Sequence, residues 1–197
     1  MNVISFDIRF LSPFRVGAST GRDGIDAPVD HHRPLPADHL KGMMRSAATD
    51  ILGLNSQILA GVFGSPAAPS PWAWTDAVPG NDADWTPRYR HRVKIDEATH
   101  TASRGSLVLA ESLWTDTATF QVRWAGPAAG PAVDEVLVLA ASGAATHAIG
   151  AWRRRGLGWV SITANDVAWD TTATERLLNL REPVTAKDAA PVAVEPS

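Results

Sequence analysis

The first strand of this chain can be recognised from the alternation of its side chains. From residue 4 to residue 10, apolar residues occupy every second position and polar or charged residues lie between them. Successive side chains of a β-strand point to opposite faces, so this period of two predicts a half-buried strand. Such a strand needs a sheet and a covering layer, which a chain of 197 residues can supply as one domain.

The remaining patterns predict mixed helices and strands in the order β-α-β-β-β-α-β. The helix at 37–52 is expected to begin with Asp38 as its N-cap, and a second helix, at 56–63, is expected to end before Gly64. Further elements are strands at 72–76 and 90–95, a hairpin of 106–114 and 118–124, a helix at 134–149, a strand at 159–169 and a short helix at 173–180. This α+β pattern is compatible with a ferredoxin-like core.

Composition bounds the domain organisation and the chemistry. Residues 1–181 are predicted to form one domain, and residues 182–197, rich in Pro, Ala and Val, a flexible tail. The chain has no cysteine, which excludes thiolate catalysis, cysteine-bound zinc and disulfides. It shows neither a signal peptide nor an apolar run of about 20 residues. We therefore expect a cytoplasmic protein with no membrane partner.

The charge of the chain is clustered. A formal net charge of -3 argues mildly against nucleic acid, because isolated binding domains are usually basic. Arginine and lysine nevertheless gather in two segments, 88–94 and 153–155, and arginine suits phosphate contacts and base stacking. The alternative is that a GC-rich genome enriches arginine without any functional reason.

Asp26 lies on a loop that carries several carboxylates. A carboxylate held there could bind a divalent cation or orient a hydroxyl for attack on phosphorus. The alternative is a turn aspartate that bonds to its own backbone. Asp23 and Asp30 could share the role, and their spacing does not rank the three.

Lys41 and Arg45 are four residues apart on the predicted helix, so both cations lie on one face. They could hold phosphates near the helix N-terminus, although Asp38 would repel an anion there. The alternative is an ordinary solvated face.

The segment Gly150–Gly158 combines glycines with three consecutive arginines. It could bring backbone and charge close to a phosphate, or it could be a solvated turn between a helix and a strand. It lacks the G-x-G-x-x-G spacing of a dinucleotide site. His31, His32 and His39 give only a weak metal signal, because no cysteine or His-x-x-x-His pair accompanies them.

Four motifs in order resemble a known family. Residues 24–30 and 34–45, GIDAPVD and PLPADHLKGMMR, resemble an Ile-Asp-x-Pro-Val loop and the helix start that follows it in RAMP-superfamily subunits of type III CRISPR effector complexes. Val62–Gly64 with Trp74–Asp76, the region 93–120, and Gly150–Gly158 are similar to three further segments of those subunits. The similarity covers about residues 3–169.

The resemblance implies a ferredoxin-like (RRM-like) palm with a projecting β-hairpin thumb, placed near 96–115 with Thr99–Leu107 at its centre. It implies that copies of the chain stack with other CRISPR effector subunits along a CRISPR guide RNA. It also implies that Asp26, with Mg²⁺ or another divalent cation, cleaves complementary target RNA. The residues implied to contact RNA are Lys41, Arg45, Thr99, Arg104, Gly150, Arg153, Arg154, Arg155 and Gly156.

Two alternatives remain open from the sequence. One is a non-catalytic scaffold or filament cap of the same complex. The other is a processing ribonuclease that uses His31, His32 or His100 for general acid–base chemistry without metal.

Overall fold

A computed structural model of the chain describes residues 2–18, 21, 24–80, 83–93, 95–103, 105–165 and 167–181. The strands are β1 Val3–Phe10, β2 Trp72–Trp74, β3 Val78–Pro79, β4 Thr86–Arg92, β5 Val108–Trp114, β6 Thr117–Trp124 and β7 Val160–Ala164. The helices are α1 Ala37–Asp50, α2 Ser56–Phe63, α3 Val133–Ala145 and α4 Thr171–Asn179, and a 3-10 turn spans Arg153–Arg155. The predicted tail at 182–197 lies outside the described residues.

The main sheet has the strand order of a ferredoxin-like fold. Its strands run β2-β6-β1-β7, every pair is antiparallel, and β3 extends the β2 edge along β6. The two β-α-β units are therefore β1-α1-β2 and β6-α3-β7, and their strands interleave. This arrangement, which we call the palm, confirms the predicted α+β, ferredoxin-like class.

The core lies between the palm sheet and helices α1 and α3. The alternating residues of β1 behave as predicted: Ile4, Phe6, Ile8 and Phe10 are buried. Phe6 stacks on Phe120 of β6 with ring centroids 4.8 Å apart. On the other side of Phe6, the α3 residue Gly143 has no Cβ to keep the ring at a distance, so helix and sheet pack closely.

Strands β4 and β5 form a separate two-stranded ribbon inserted between β3 and β6. The predicted hairpin of 106–114 with 118–124 is wrong, because β5 pairs with β4 while β6 pairs with β1. Thr115 and Asp116 carry the chain from one sheet to the other. One edge of β5 pairs with β4, and the other edge forms bridges with Phe14 and Ala27 of the palm loops. Both edges of β5 are therefore occupied, and β5 does not pair with β6. The predicted thumb position and domain boundaries stay predictions.

The N-terminus of helix α1 is capped by a residue that is distant in the sequence. Asp38 does not cap the helix as predicted, because it lies within the first turn and the N-cap position is Pro36. Asp76 instead accepts a hydrogen bond of 2.8 Å from the amide of Ala37. Arg33 donates two further bonds of 2.8 Å to that carboxylate. They are the main reason that the pKa of Asp76 falls to about 2. Helix α2 begins and ends as predicted, with Asn55 as its N-cap.

The helices of the described region are short. None of them combines the length and the apolar character that a segment crossing a bilayer requires.

Candidate nucleic-acid interface

Asp26 is exposed and is held beside the end of the ribbon at which β4 ends and β5 begins. The amide of Leu109 donates a hydrogen bond of 2.7 Å to its Oδ2. The next residue, Ala27, exchanges backbone hydrogen bonds with Leu109 and Glu111 of β5. Among the residues that the structure describes, no donor reaches Oδ1 of Asp26. The carboxylate therefore has a fixed position, and the described residues leave its Oδ1 available to a ligand.

The neighbouring carboxylates have different roles. Asp30 accepts hydrogen bonds from the amides of His32 and Arg33, and these bonds lower its pKa. This is the turn geometry that was the alternative for Asp26. Asp23, the other alternative to Asp26, lies outside the described residues.

Buried Glu111 supports the Asp26 loop from below. Its Oε2 accepts from the amide of Val29 at 3.1 Å, and its Oε1 lies 2.9 Å from Nε2 of His31. A carboxylate with no exposed surface is stable only with such partners. His31 therefore gives buried Glu111 a hydrogen-bond partner, a role that the sequence did not indicate.

The site offers little protein coordination for a cation. Within the described part of the chain, no group of three or more histidine, aspartate or glutamate side chains is placed to hold a metal ion. Mg²⁺ is often bound by one or two carboxylates together with water and substrate phosphates. The Asp26 carboxylate would fit that pattern only together with water and the phosphate of a substrate.

The glycines of the segment Gly150–Gly158, which we call the arginine loop, serve two purposes. At Gly150 and Gly158, both with positive φ, a Cβ would overlap the carbonyl oxygens of Arg15 and Ile149 respectively. These glycines therefore allow the loop to pack against its own protein. Gly156 also has a positive φ, of 77°, but nothing lies within 4 Å of the space that its Cβ would fill. Of these three, only Gly156 leaves room for a ligand to approach.

Three arginines gather around Trp152. The guanidinium carbons of Arg15 and Arg92 each lie 4.8 Å from its ring centroid, and that of Arg155 lies 5.9 Å away. Arg15 belongs to the loop after β1 and Arg92 to the ribbon. The sequence indicated the two basic segments but not that Trp152 joins them, because this contact is between residues distant in sequence.

His39 positions the same loop. Its Nε2 accepts a hydrogen bond of 2.9 Å from the amide of Gly150. Burial lowers the pKa of His39, and the nearby charge of Arg153 acts in the same direction. A neutral ring is the form that accepts this bond. His39 is thus a structural residue.

Lys41 and Arg45 do not join this cluster. They line a shallow cavity of about 430 Å³ with the segment between α2 and β2, and Lys41 Nζ lies 5.3 Å from the ring centroid of Trp74. Arg153 instead lines a cavity with Met43 and other residues on a different flank of α1. The structure therefore separates the predicted cations into two patches. Burial, and secondarily Arg45, lower the pKa of Lys41.

The tip of the ribbon is built around an aspartate. Asp96 accepts hydrogen bonds from the amides of Ala98 and Thr99 and from the Thr99 hydroxyl. Thr99 is exposed, but its side chain already stabilises this turn. Arg104, the other predicted contact in this region, lies outside the described residues.

The outer face of the palm sheet is polar rather than aromatic. Ser5, Asp7 and Arg9 of β1 lie there beside Thr119 and Gln121 of β6. RNA-recognition sheets usually stack bases on aromatic residues of this face. The fold and its charges thus define a ferredoxin-like protein whose candidate interface is the edge formed by the Asp26 loop, the ribbon and the arginine loop.

The chain belongs to the RAMP superfamily, whose family model matches residues 7–161. One similar solved structure is a chain in the cryo-EM structure of the type III-B Cmr-beta bound to cognate target RNA. It aligns with a TM-score of 0.55 at 19% identity, over 83% of this chain and 61% of that chain. This likeness supports the ferredoxin-like fold. No curated protein matches the chain.

Proposed function

We propose that this chain is a guide-RNA-binding subunit of a type III CRISPR effector complex and that it cleaves complementary target RNA through Asp26. The observation that carries the proposal is the exposed Asp26 carboxylate, fixed by Leu109 of the ribbon in a RAMP-superfamily chain. The Cmr-beta structure, which contains cognate target RNA, supports the same class of partner.

The chemistry begins with the 2′-hydroxyl of the target nucleotide next to the scissile phosphate. Its oxygen bonds to phosphorus as the bond from phosphorus to the 5′-oxygen of the next nucleotide breaks. Oδ1 of Asp26 accepts the hydroxyl proton, and water protonates the leaving oxygen. The products are a 2′,3′-cyclic phosphate and a 5′-hydroxyl. A divalent cation beside Asp26 would supply positive charge at the phosphate.

The guide RNA needs no sequence readout in this proposal. Arg153, Arg154 and Arg155 are exposed and can bind its phosphates, as can Lys41 and Arg45 from their separate patch. Copies of the chain and other effector subunits would extend the two patches along the guide.

Cleavage by the assembled complex tests the proposal. Labelled complementary RNA is incubated with wild-type, Asp26→Asn or Asp26→Ala complexes, with Mg²⁺ or EDTA. Asn keeps the acceptor for Leu109 but removes the charge, so we expect cleavage to fall by about 100-fold or more while RNA binding is retained. Glu97→Gln, a charge removal at an exposed site on the ribbon, is the matched control and should cleave normally.

The alternative of a non-catalytic scaffold has one observation in its favour. Within the described part of the chain, no group of three or more histidine, aspartate or glutamate side chains is placed to hold a metal ion, so Asp26 has little protein support for binding a cation. If wild type binds target RNA stably without cutting it, the scaffold is the correct function. Cuts at regular spacing that disappear in Asp26→Asn would exclude it.

A further inference from the structure

The arginines around Trp152 bring three positive charges into a small volume. Their guanidinium carbons lie at most 5.9 Å from one ring centroid. Any two of them therefore lie within roughly one Debye length of each other, which is about 10 Å at 0.1 M salt. Solvent ions do not fully screen their repulsion, so an anion between them would be favoured.

Two of the three cations have no acidic partner among the residues that the structure describes. Arg92 and Arg155 form no salt bridge with any carboxylate in the part of the chain that the structure describes. Arg15 interacts electrostatically with buried Glu111, and its Nη2 donates to the carbonyl of Pro28 at 3.2 Å. Cations on a folded surface without counter-charge are a common feature of phosphate-binding sites.

A cavity opens beside this cluster. Its volume is about 500 Å³, and Ala148, Trp152 and the three arginines of the 3-10 turn line it. This volume is within the range of small-molecule sites and is sufficient for a nucleotide. Space for a ligand thus lies beside Trp152 and Arg155, while Arg15 and Arg92 add positive charge from outside the lining of the cavity.

We propose that Arg15, Arg92, Trp152 and Arg155 form one composite phosphate-binding site, which holds a phosphodiester of single-stranded RNA at the junction of ribbon and palm. The inference rests on the proposed function and deepens it. It assigns RNA contact to Arg15, Arg92 and Trp152, which are not among the RNA contacts that the family resemblance implied. Arg15 and Arg92 tie the site to the Asp26 loop and the ribbon respectively.

Its position favours RNA over an acidic protein segment. Arg15 Nη2 bonds to Pro28, two residues after Asp26, and Arg92 pairs with Val108, the neighbour of Leu109. A phosphate held here lies on the same edge as the Asp26 carboxylate. One strand of RNA could therefore occupy both, because a 2′-hydroxyl can donate a hydrogen bond to the Asp26 carboxylate, whereas the ionised side chains of an acidic peptide carry no such donor.

RNA binding to the purified full-length chain tests the site. The probe is a fluorescent single-stranded RNA of mixed sequence, with Kd measured by anisotropy over a series of salt concentrations. Arg92→Gln and Arg155→Gln should each weaken binding by about tenfold. Each should also reduce the slope of log Kd against the logarithm of the salt concentration by about 0.7, the value expected for one phosphate on a single strand.

The double variant distinguishes one shared phosphate from two separate ones. If both arginines hold the same phosphate, the double variant should bind RNA only slightly more weakly than the single variant with the lower affinity. Its salt slope should fall by the amount expected for one phosphate, about 0.7. A loss of affinity equal to the product of the two single losses, with a slope reduced by twice that amount, would overturn the composite site.

Trp152→Asn tests the ring without breaking the loop. Trp152 has a φ of 60°, a conformation that asparagine adopts more easily than tryptophan. We expect weaker RNA binding with no loss of thermal stability. Arg123→Gln is the control, because its guanidinium lies on the outer sheet face and bonds to Gln121. It should bind RNA as wild type does.

The remaining outcomes separate the two proposals. If wild type binds RNA and both single arginine variants bind equally well, the composite site is wrong and the proposed function stands. If wild type binds no RNA, the composite site is wrong, and cleavage by the assembled complex still decides the proposed function. If polyglutamate competes as effectively as unlabelled RNA, the site is a general acidic-segment site and the inference is overturned.

Discussion

The carboxylate of Asp76 accepts two hydrogen bonds of 2.8 Å from the guanidinium of Arg33. The same carboxylate accepts from the amide of Ala37, so a residue on the loop after β2 caps helix α1. It thereby joins the end of the Asp26-bearing segment to the first residue of the helix. This relationship has a measurable effect on stability.

Asp76→Ala should destabilise the fold by about 1–2 kcal/mol, the usual cost of losing a helix N-cap acceptor. Asp76→Asn can keep the bond from Ala37 and should lose less, because an exposed ion pair contributes only about 0.2–1 kcal/mol. Urea unfolding measures both. Asp38→Ala, a change in the first helical turn without a capping bond, is the control. Equal losses in all three variants would contradict the capping role.

Asp76 also predicts a response to acid. Its pKa is about 2 in the folded chain, below the ordinary aspartate value of 3.8, so the folded state binds fewer protons than the unfolded state in this range. The stabilisation is present above pH 3.8 and is lost as pH falls through 2. The melting temperature should therefore fall more steeply between pH 5 and pH 2 for wild type than for Asp76→Ala. Parallel curves would contradict this assignment.

His39 predicts a second pH dependence, at higher pH. Its pKa is lowered by burial and by Arg153, with Asp38 opposing, so the folded state favours the neutral ring that accepts from Gly150. Its contribution is fully present above the unfolded pKa of 6.5 and is lost as pH falls through the lower folded pKa.

The measurement compares melting temperatures between pH 7 and pH 5. His39→Gln retains an acceptor but does not titrate, so its melting temperature should change less than that of wild type. His147→Gln, at an exposed histidine, should follow wild type. A His39→Gln profile that also follows wild type would show that Gly150 does not depend on a neutral ring.

The two glycines Gly156 and Gly158 provide a matched pair of substitutions. Both have a φ of 77°, but only at Gly158 would a Cβ overlap a backbone atom, the carbonyl oxygen of Ile149. Gly156→Ala should cost about 1–2 kcal/mol for the positive φ alone. Gly158→Ala should cost about 4 kcal/mol or more, or prevent folding. Similar unfolding free energies for the two variants would contradict the packed arrangement of the loop.

Glu111 is expected to hold the Asp26 loop. Glu111→Ala leaves the buried amide of Val29 without its acceptor, which costs about 1–3 kcal/mol. Hydrogen exchange should show faster exchange at Val29 and in the neighbouring loop, whereas Glu97→Ala on the ribbon should leave it unchanged. Protection of Val29 that survives Glu111→Ala would show that another group fixes the loop.

Local patterns determined several elements from the sequence alone. The alternation in β1 fixed which side chains enter the core, because a strand exposes its faces at every second residue. Helix α2 has the predicted bounds, since Asn55 and Gly64 are local start and stop signals. The order of strands and helices was compatible with the ferredoxin-like class, which the resemblance to the RAMP superfamily implied.

Long-range partners were decided only by the tertiary structure. Thr115 and Asp116 look like a hairpin turn, yet β5 pairs with β4 because strand pairing depends on edges that no local window contains. Asp76 replaces Asp38 as the cap of α1 from 39 residues beyond Ala37. The convergence of Arg15 and Arg92 on Trp152 likewise joins segments far apart in sequence. Periodicity specifies the face on which a side chain lies, whereas packing of the whole chain specifies what that side chain meets.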